Sequence, residues 1–144
     1  MVTAYDVAKL LISWQDLDNS DLSNLKLQKL TWYCQGFFSA ITGRALFDDD
    51  FEAWEHGPVI PSLYHEFKDF GRNPIELDVS SDIERDFTEE ELEIIDEVYE
   101  VFGKYSAWKL RNMTHDEKPW LDNEAKAGCI PFGEIVSYFE NRLN

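Results

Sequence analysis

The segment that most constrains the fold of this chain is an apolar stretch at residues 25–41. Its apolar residues recur at spacings of three and four, which places them on one face of a helix. This stripe consists of Leu27, Leu30, Cys34, Phe37, Phe38 and Ile41. Trp32 and Tyr33 point away from the stripe, so the helix is apolar over more than one face. Such a helix is typical of a domain centre, and we expect the rest of the chain to pack around it.

Local signals predict where this helix begins and ends. Ser23 or Asn24 supplies an N-cap, and Gly43 stands where helices favour a left-handed residue. Gly36, inside the helix, costs about 1 kcal/mol of helix propensity relative to Ala. This cost predicts that another backbone crosses the helix closely at Gly36.

After Gly43 the pattern becomes typical of short strands. Residues 45–47 and 51–55 alternate imperfectly between apolar and polar types, and three aspartates separate them. This arrangement predicts a small hairpin with an acidic turn at residues 48–50. Gly57 and Pro58 then fix the backbone, and Pro61 is suited to the first position of the next helix.

Three parts of the chain together resemble the Panacea antitoxin domain family, also described as a phage-associated domain. They are Leu25-Lys26-Leu27-Gln28-Lys29-Leu30 with Tyr33-Cys34-Gln35-Gly36, then Phe51-Glu52-Ala53-Trp54-Glu55-His56-Gly57-Pro58-Val59-Ile60-Pro61, and finally Leu110 with Thr114-His115 and Pro119-Trp120. The resemblance covers nearly the whole chain. It implies a mostly helical domain that neutralises a cognate toxin by binding it, in bacterial or prophage toxin-antitoxin pairs.

Further helix starts are marked by residues typical of caps and first turns. They are Thr3 with Asp6, Thr88 with Glu91, Ser106, and Pro131. Apolar and polar residues alternate over residues 75–79, which is typical of a short edge strand or an extended linker. Residues 114–120 are expected to form a polar loop. The sequence thus predicts a single, mainly α domain over residues 1–144, with about five or six helices and one small β-hairpin.

Charge limits the class of partner. The 144-residue chain has a formal net charge of −16, which argues against nucleic acid and favours a basic protein. Residues 82–100 hold ten carboxylates and a single cation, Arg85. This run is either a solvated helix face or a surface that attracts a basic toxin, through Glu90, Glu93 and Glu97. Lys9, Lys26 and Lys29 form the one basic cluster of note.

The two cysteines and the absence of long apolar runs suggest a cytoplasmic chain. Cys34 on the helix stripe and Cys129 beside a glycine do not make a disulfide framework, and we expect both to be reduced. No apolar run approaches the length of a membrane span, and no secretory segment opens the chain.

No residue pattern indicates catalysis, a metal or a cofactor. Residues 48–50 lack the alternate spacing and glycine of an ion-binding loop. His56, His65 and His115 have no zinc-type spacing among them. His56 or His115 would need a nucleophile to serve a hydrolase, and Cys34 is expected to be a core thiol.

The rigid turn that carries Trp54, His56 and Pro58 is the expected partner-binding site, because interface hot spots are often aromatic residues on rigid supports. The residues expected to bind the partner are Trp54, Glu55, His56, Gly57, Pro58, Pro61 and Tyr64. Trp32 and Tyr33 belong either to the same exposed patch or to the core. The alternative to an antitoxin is a phage-associated regulatory adaptor or interaction module that has no toxin partner.

Overall fold

The chain folds into helices packed around one central helix. A computed structural model describes residues 1–16 and 18–143. The helices are α1 (Ala4–Trp14), α2 (Asn24–Thr42), α3 (Pro61–Phe67), α4 (Glu89–Phe102), α5 (Ala107–Thr114), α6 (Lys118–Leu121) and α7 (Phe132–Glu140). Short 3-10 turns lie at Lys68–Phe70, Ile83–Asp86 and Glu124–Lys126. The mainly α fold is confirmed, with seven α-helices in the described residues where about five or six were expected.

The additional helix, α6, lies in the segment expected to be a polar loop. Pro119 occupies its first turn, where the missing N–H costs nothing. Trp120 is buried, so packing of this indole stabilises a helix too short to form alone. In the part of the chain that the structure describes, no helix is long and apolar enough to cross a membrane.

Helix α2 is the centre of the domain, as its pattern predicts. It contacts α1, α3, α4, α5, α7 and the hairpin. Trp32 and Tyr33 are fully buried, so the patch interpretation of these two residues is wrong. The stripe is buried at four of its six positions, Phe37 is half-buried, and Ile41 is an exception with 52% of its surface exposed.

Position 36 of α2 has room only for a glycine. The neighbour that approaches the helix here is a side chain and not a backbone. A Cβ atom at this position would overlap the ring of Phe139 from α7. The expectation of a close approach is confirmed, and the expectation of a crossing backbone is wrong. Gly43 ends the helix in the left-handed region, with φ of 78°, as predicted.

The predicted helix caps agree with the structure. Thr3 with Asp6 and Thr88 with Glu91 both form complete capping boxes. The Ser23 and Ser106 hydroxyls accept hydrogen bonds from backbone N–H groups in the first turns of α2 and α5. Pro131 precedes the first residue of α7 and does not occupy it.

The hairpin forms later in the chain than predicted. Strands β1 (Glu52–Trp54) and β2 (Gly57–Val59) pair antiparallel, with Trp54 opposite Gly57. The turn is therefore Glu55-His56, and the acidic residues 48–50 lie outside it. Gly57 decides the position, because its φ of 108° suits the residue that follows a tight turn. Asp49 instead accepts a hydrogen bond from the backbone N–H of Ala4, at the start of α1.

Two extended segments complete the fold. Residues 75–79 form no strand, and their first residue, Ile75, donates its N–H to the carbonyl of Leu22 at 2.9 Å. Cys129 lies beside β1 in an isolated bridge to Glu52. These contacts tie the long connections to the body of the domain.

Candidate partner-binding face

Lys29 supports the hairpin turn from inside the domain. Its side chain is fully buried, and Nζ donates a hydrogen bond to the carbonyl of Pro58 at 2.9 Å. A Cβ atom at Gly57 would lie 2.6 Å from Cε of Lys29 and 2.6 Å from Oγ1 of Thr114. Gly57 is thus required both by its backbone angle and by the lack of space above Lys29 and Thr114.

Burial changes the ionisation of Lys29. No carboxylate in the described residues forms an ion pair with its amine. Burial, together with the nearby charge of Arg111, lowers the pKa of Lys29 from 10.5 to about 7. A large share of this amine is therefore neutral at physiological pH.

Side chains from α2 and α6 hold the backbone around the turn. The Ile60 N–H donates to Oε1 of Gln28 at 3.0 Å, and the indole N–H of Trp120 donates to the Trp54 carbonyl at 2.8 Å. Asn24 donates to the carbonyl of Tyr64 at 3.0 Å. The turn and the start of α3 are consequently fixed to the core on both sides.

Trp54 and Tyr64 form a half-buried aromatic pair on this support. Their ring centroids are 5.2 Å apart and the ring planes lie at 64°, an edge-to-face arrangement. The indole N–H of Trp54 donates to Oε1 of Glu52 at 2.9 Å. The pair is held rigidly while part of each ring stays in contact with solvent.

A second aromatic group lies on the other side of the turn. Nε of Arg111 donates to Nδ1 of His56 at 3.3 Å, and the guanidinium carbon lies 4.5 Å from the ring centroid of Trp108. Trp108 is 56% exposed. We call the surface formed by these two groups the turn face; its residues are Trp54, Glu55, His56, Tyr64, Trp108 and Arg111.

Sequence reasoning did not identify Trp108 as a site residue. The signal was present, because Trp108 and Leu110 are two residues apart and so point about 200° apart on a helix. Only one of them can face the core, and it is Leu110 that is fully buried.

The predicted partner-binding residues divide into those that reach the surface and those that are buried beneath it. Glu55 and His56 are exposed, and Trp54, Tyr64 and Pro61 are half-buried. Gly57 and Pro58 are buried, which makes them supports of the turn.

Glu117 joins three distant parts of the chain and was also missed. Oε1 accepts from the indole N–H of Trp32 at 2.8 Å, and Oε2 accepts from the hydroxyl of Tyr33 at 2.7 Å. Arg142 donates to Oε2 at 3.1 Å. Burial raises the pKa of Glu117, while these three donors act in the opposite direction.

Two of the candidate catalytic groups, Cys34 and His115, have altered pKa values. Cys34 is fully buried, and burial raises the pKa of its thiol well above the usual range. His115 stacks on Trp120 with ring centroids 4.0 Å apart, and burial lowers its pKa. Among the described residues, no group of three or more His, Cys, Asp or Glu side chains is placed to hold a metal ion.

The charged candidates occupy different environments. Glu90, Glu93 and Glu97 are exposed on α4, and Glu90 pairs with Arg44 at 2.6 Å. Lys26 and Lys29 are buried, so the basic cluster noted in the sequence does not form a surface patch.

Comparisons with known proteins place this chain in a family. Residues 27–121 match the family model described as Antitoxin SocA-like, Panacea domain. A protein named Antitoxin SocA from Caulobacter vibrioides (strain NA1000 / CB15N) is 42% identical over 66 residues. The aligned part spans 46% of this chain and 35% of that relative, so the chain matches about a third of the relative's length. No solved structure matches.

The matched range contains the whole turn face together with Lys29 and Glu117. It covers more than half of the chain and includes most of α2, the hairpin and α5. This chain belongs to the Antitoxin SocA-like, Panacea domain family.

Proposed function

We propose that this protein is an antitoxin that neutralises a cognate toxin by binding it directly in the cytoplasm, without a catalytic step. The observation that carries the proposal is the family match over residues 27–121. The name of the Caulobacter relative, Antitoxin SocA, supports the same role.

The turn face is the surface that we assign to toxin binding. Trp54, Tyr64 and Trp108 offer large rings that are already held in place, so little side-chain entropy is lost when a partner binds. Glu55 and His56 add polar groups at the tip of the turn. A rigid turn with aromatic residues on both sides is suited to entering a pocket on another protein.

Charge has a separate part in the proposed mechanism. The net charge of −16 and the exposed glutamates of α4 favour a basic toxin. Such charges mainly raise the rate of encounter, whereas aromatic contacts mainly slow dissociation. The two contributions are therefore separable by kinetics.

The test is co-expression with the product of the neighbouring reading frame. If that product arrests growth, we expect this chain to restore growth and to copurify with it. A double variant, Trp54→Ala with Trp108→Ala, should lose both effects, while Leu121→Ala, at a residue 50% exposed outside the turn face, should retain them. Copurification without rescue would instead favour an interaction module without antitoxin activity.

A further inference from the structure

A groove runs between α2 and α4 at a distance from the turn face. The rings of Phe37 and Phe102, which both line the groove, lie 5.8 Å apart, and Arg44, just after α2, forms an ion pair with Glu90 of α4 at 2.6 Å. The end of α2 therefore lies beside the start of α4, and the two helices are antiparallel. Lys29 and Ile41 are twelve residues apart on α2. Ile41 in the groove is therefore about 18 Å along the helix axis from Lys29, the residue that supports the turn.

The groove has an apolar floor that the domain leaves uncovered. Its volume is about 230 Å³, and its apolar lining includes Phe37, Ile41, Ile94, Val98, Val101 and Leu143. Ile41 is 52% exposed, Val101 45% and Leu143 43%. Contiguous exposed aliphatic side chains of this kind mark interaction surfaces in soluble domains.

The exposure of Ile41 has a simple structural origin. Ile41 continues the stripe that, at Leu30 and Cys34, lies in the core. Helix α2 extends beyond the elements that cover this stripe, so its last turn adds an apolar residue to the groove. The groove is thus continuous with the hydrophobic core.

The solvent edge of the groove is acidic. Glu97 lines it, and Glu93 and Glu90 follow on the same side of α4 at spacings of four and three residues. Arg142 also lines the groove, but its guanidinium already donates to Glu117 at 3.1 Å. The Arg44 charge is likewise paired, with Glu90. Glu93 and Glu97 make no ion pair among the described residues.

We propose that this groove binds a basic amphipathic helix of a partner protein. The apolar stripe of that helix would lie on Ile41 and Val101, and its lysine or arginine residues would face Glu93 and Glu97. The α4 edge from Glu90 to Val101 is about 16 Å long, which corresponds to about three turns of the bound helix. The proposal rests on the proposed function only for the partner's identity, a segment of the toxin.

The first test uses a synthetic helix, so it needs no toxin. The probe is a fluorescently labelled peptide of about four turns, with leucines at i, i+3, i+4 and i+7 and lysines flanking this stripe. A scrambled peptide of the same composition and a version with glutamate in place of lysine serve as controls. We expect fluorescence anisotropy to report binding of the first peptide alone, weakening as salt rises.

Variants then locate the site. Ile41→Glu and Val101→Glu should each weaken binding by about tenfold or more, while Leu121→Glu, at a residue of similar exposure, should not. Glu93→Lys with Glu97→Lys should weaken binding more than Glu66→Lys with Glu124→Lys, which changes the net charge equally. Equal binding of the scrambled peptide, or binding unaffected by Ile41→Glu and Val101→Glu, would overturn the proposal.

A measurement on the unaltered chain removes any dependence on the folding of variants. Backbone amide NMR shifts on peptide addition should cluster in the last turns of α2 and along α4. Shifts centred on the turn face, or no shifts, would also overturn the groove assignment. Loss of growth rescue with intact peptide binding would count against the antitoxin role and leave the groove assignment in place.

Discussion

Lys29 is the residue that most directly couples the core to the turn face. It places an amine beneath Gly57 and Pro58, the first residues after the turn, and donates to the Pro58 carbonyl at 2.9 Å. A methylene stem fills the space that a Cβ at Gly57 would need. The same side chain thus fixes the turn and introduces a titratable group into the core.

Replacing Lys29 should change how stability depends on pH. The pKa of Lys29 is about 7 in the folded state, compared with 10.5 for an ordinary lysine. Between these values the unfolded chain binds a proton that the folded chain does not, so this lysine makes stability rise with pH from about 7 to about 10. Lys29→Met should remove that rise, which amounts to a few kcal/mol because one pKa unit corresponds to about 1.4 kcal/mol.

Urea unfolding at pH 6 and pH 9 is the appropriate measurement. Relative to the parent, the free energy of unfolding of Lys29→Met should be higher at pH 6 than at pH 9. For Lys109→Met, at an exposed lysine, the difference from the parent should be the same at both pH values. A stability difference between Lys29→Met and the parent that is the same at both pH values would contradict the assignment.

Trp54 is expected to be an anchor for the toxin. Its ring is held by Tyr64 at 5.2 Å and by a hydrogen bond to Glu52, so it is preorganised for binding. Trp54→Ala should cost about 2 kcal/mol or more of binding free energy, chiefly through faster dissociation. Surface plasmon resonance with the toxin measures both rates, with Leu121→Ala as the control. A folded Trp54→Ala variant that binds and neutralises like the parent would assign the turn a purely structural role.

At the scale of elements, the contact between α2 and α7 depends on one glycine. The ring of Phe139 occupies the position of a side chain at Gly36 and packs edge-on against Trp32, with centroids 5.7 Å apart. The same ring lies 4.9 Å from that of Phe37. Helix α7 can approach α2 this closely only while position 36 has no Cβ.

Gly36→Ala should therefore destabilise the fold although alanine favours helices. We expect a loss of about 1–3 kcal/mol, typical of overpacking a well-packed core. Gly133→Ala is the matched control, because it lies in α7 with no atom within 4 Å of its Cβ position. That control should be neutral or stabilising by up to about 1 kcal/mol. Equal melting temperatures for Gly36→Ala and Gly133→Ala would show that the Phe139 ring moves aside without cost.

The outer face of α4 is expected to act on the rate of toxin association. Charge reversal at Glu90, Glu93 and Glu97 should lower that rate, with a loss that shrinks as the Debye length falls below about 8 Å in added salt. The control reverses three exposed glutamates elsewhere and keeps the net charge equal; these are Glu66, Glu76 and Glu124. Stopped-flow measurement of the association rate at two salt concentrations distinguishes the α4 variant from this control variant. Equal effects would mean that overall charge, and not the α4 face, governs encounter.

At the scale of the whole molecule, stability depends on one buried helix and the side chains around it. Helix α2 contacts five other helices and the hairpin, and buried polar residues on it bond to partners far along the chain. A change in its core should therefore affect the whole domain.

Leu30→Ala tests this dependence. Leu30 is fully buried, and truncation of such a residue costs about 2–5 kcal/mol. Since domains of this size have a total stability of about 5–15 kcal/mol, the loss should lower the denaturation midpoint substantially. Phe37→Ala should cost less, because Phe37 is only half-buried. A midpoint unchanged by Leu30→Ala would contradict the central position of α2.

The sequence by itself determined the features that depend on neighbours in the chain. Both capping boxes, the left-handed end of α2 at Gly43 and the apolar character of α2 follow from residues within a few positions of one another. The physical reason is that caps and helix faces are set by local hydrogen bonds and by the helical period. The resemblance to the family likewise depended on short motifs, and the family match supports it.

Only the tertiary structure decided how distant residues pair. Glu117 receives hydrogen bonds from Trp32 and Tyr33, 85 and 84 residues away, and no local pattern encodes those partners. The uncovered end of α2 at Ile41 is decided in the same way, because burial of a stripe depends on where other elements end. The sequence pattern predicts the turn at residues 48–50, and not at Glu55-His56, because three aspartates indicate a turn as strongly as Gly57 does. In the folded chain the turn forms just before Gly57, because this position packs against Lys29 and Thr114 and only a glycine fits above the buried amine.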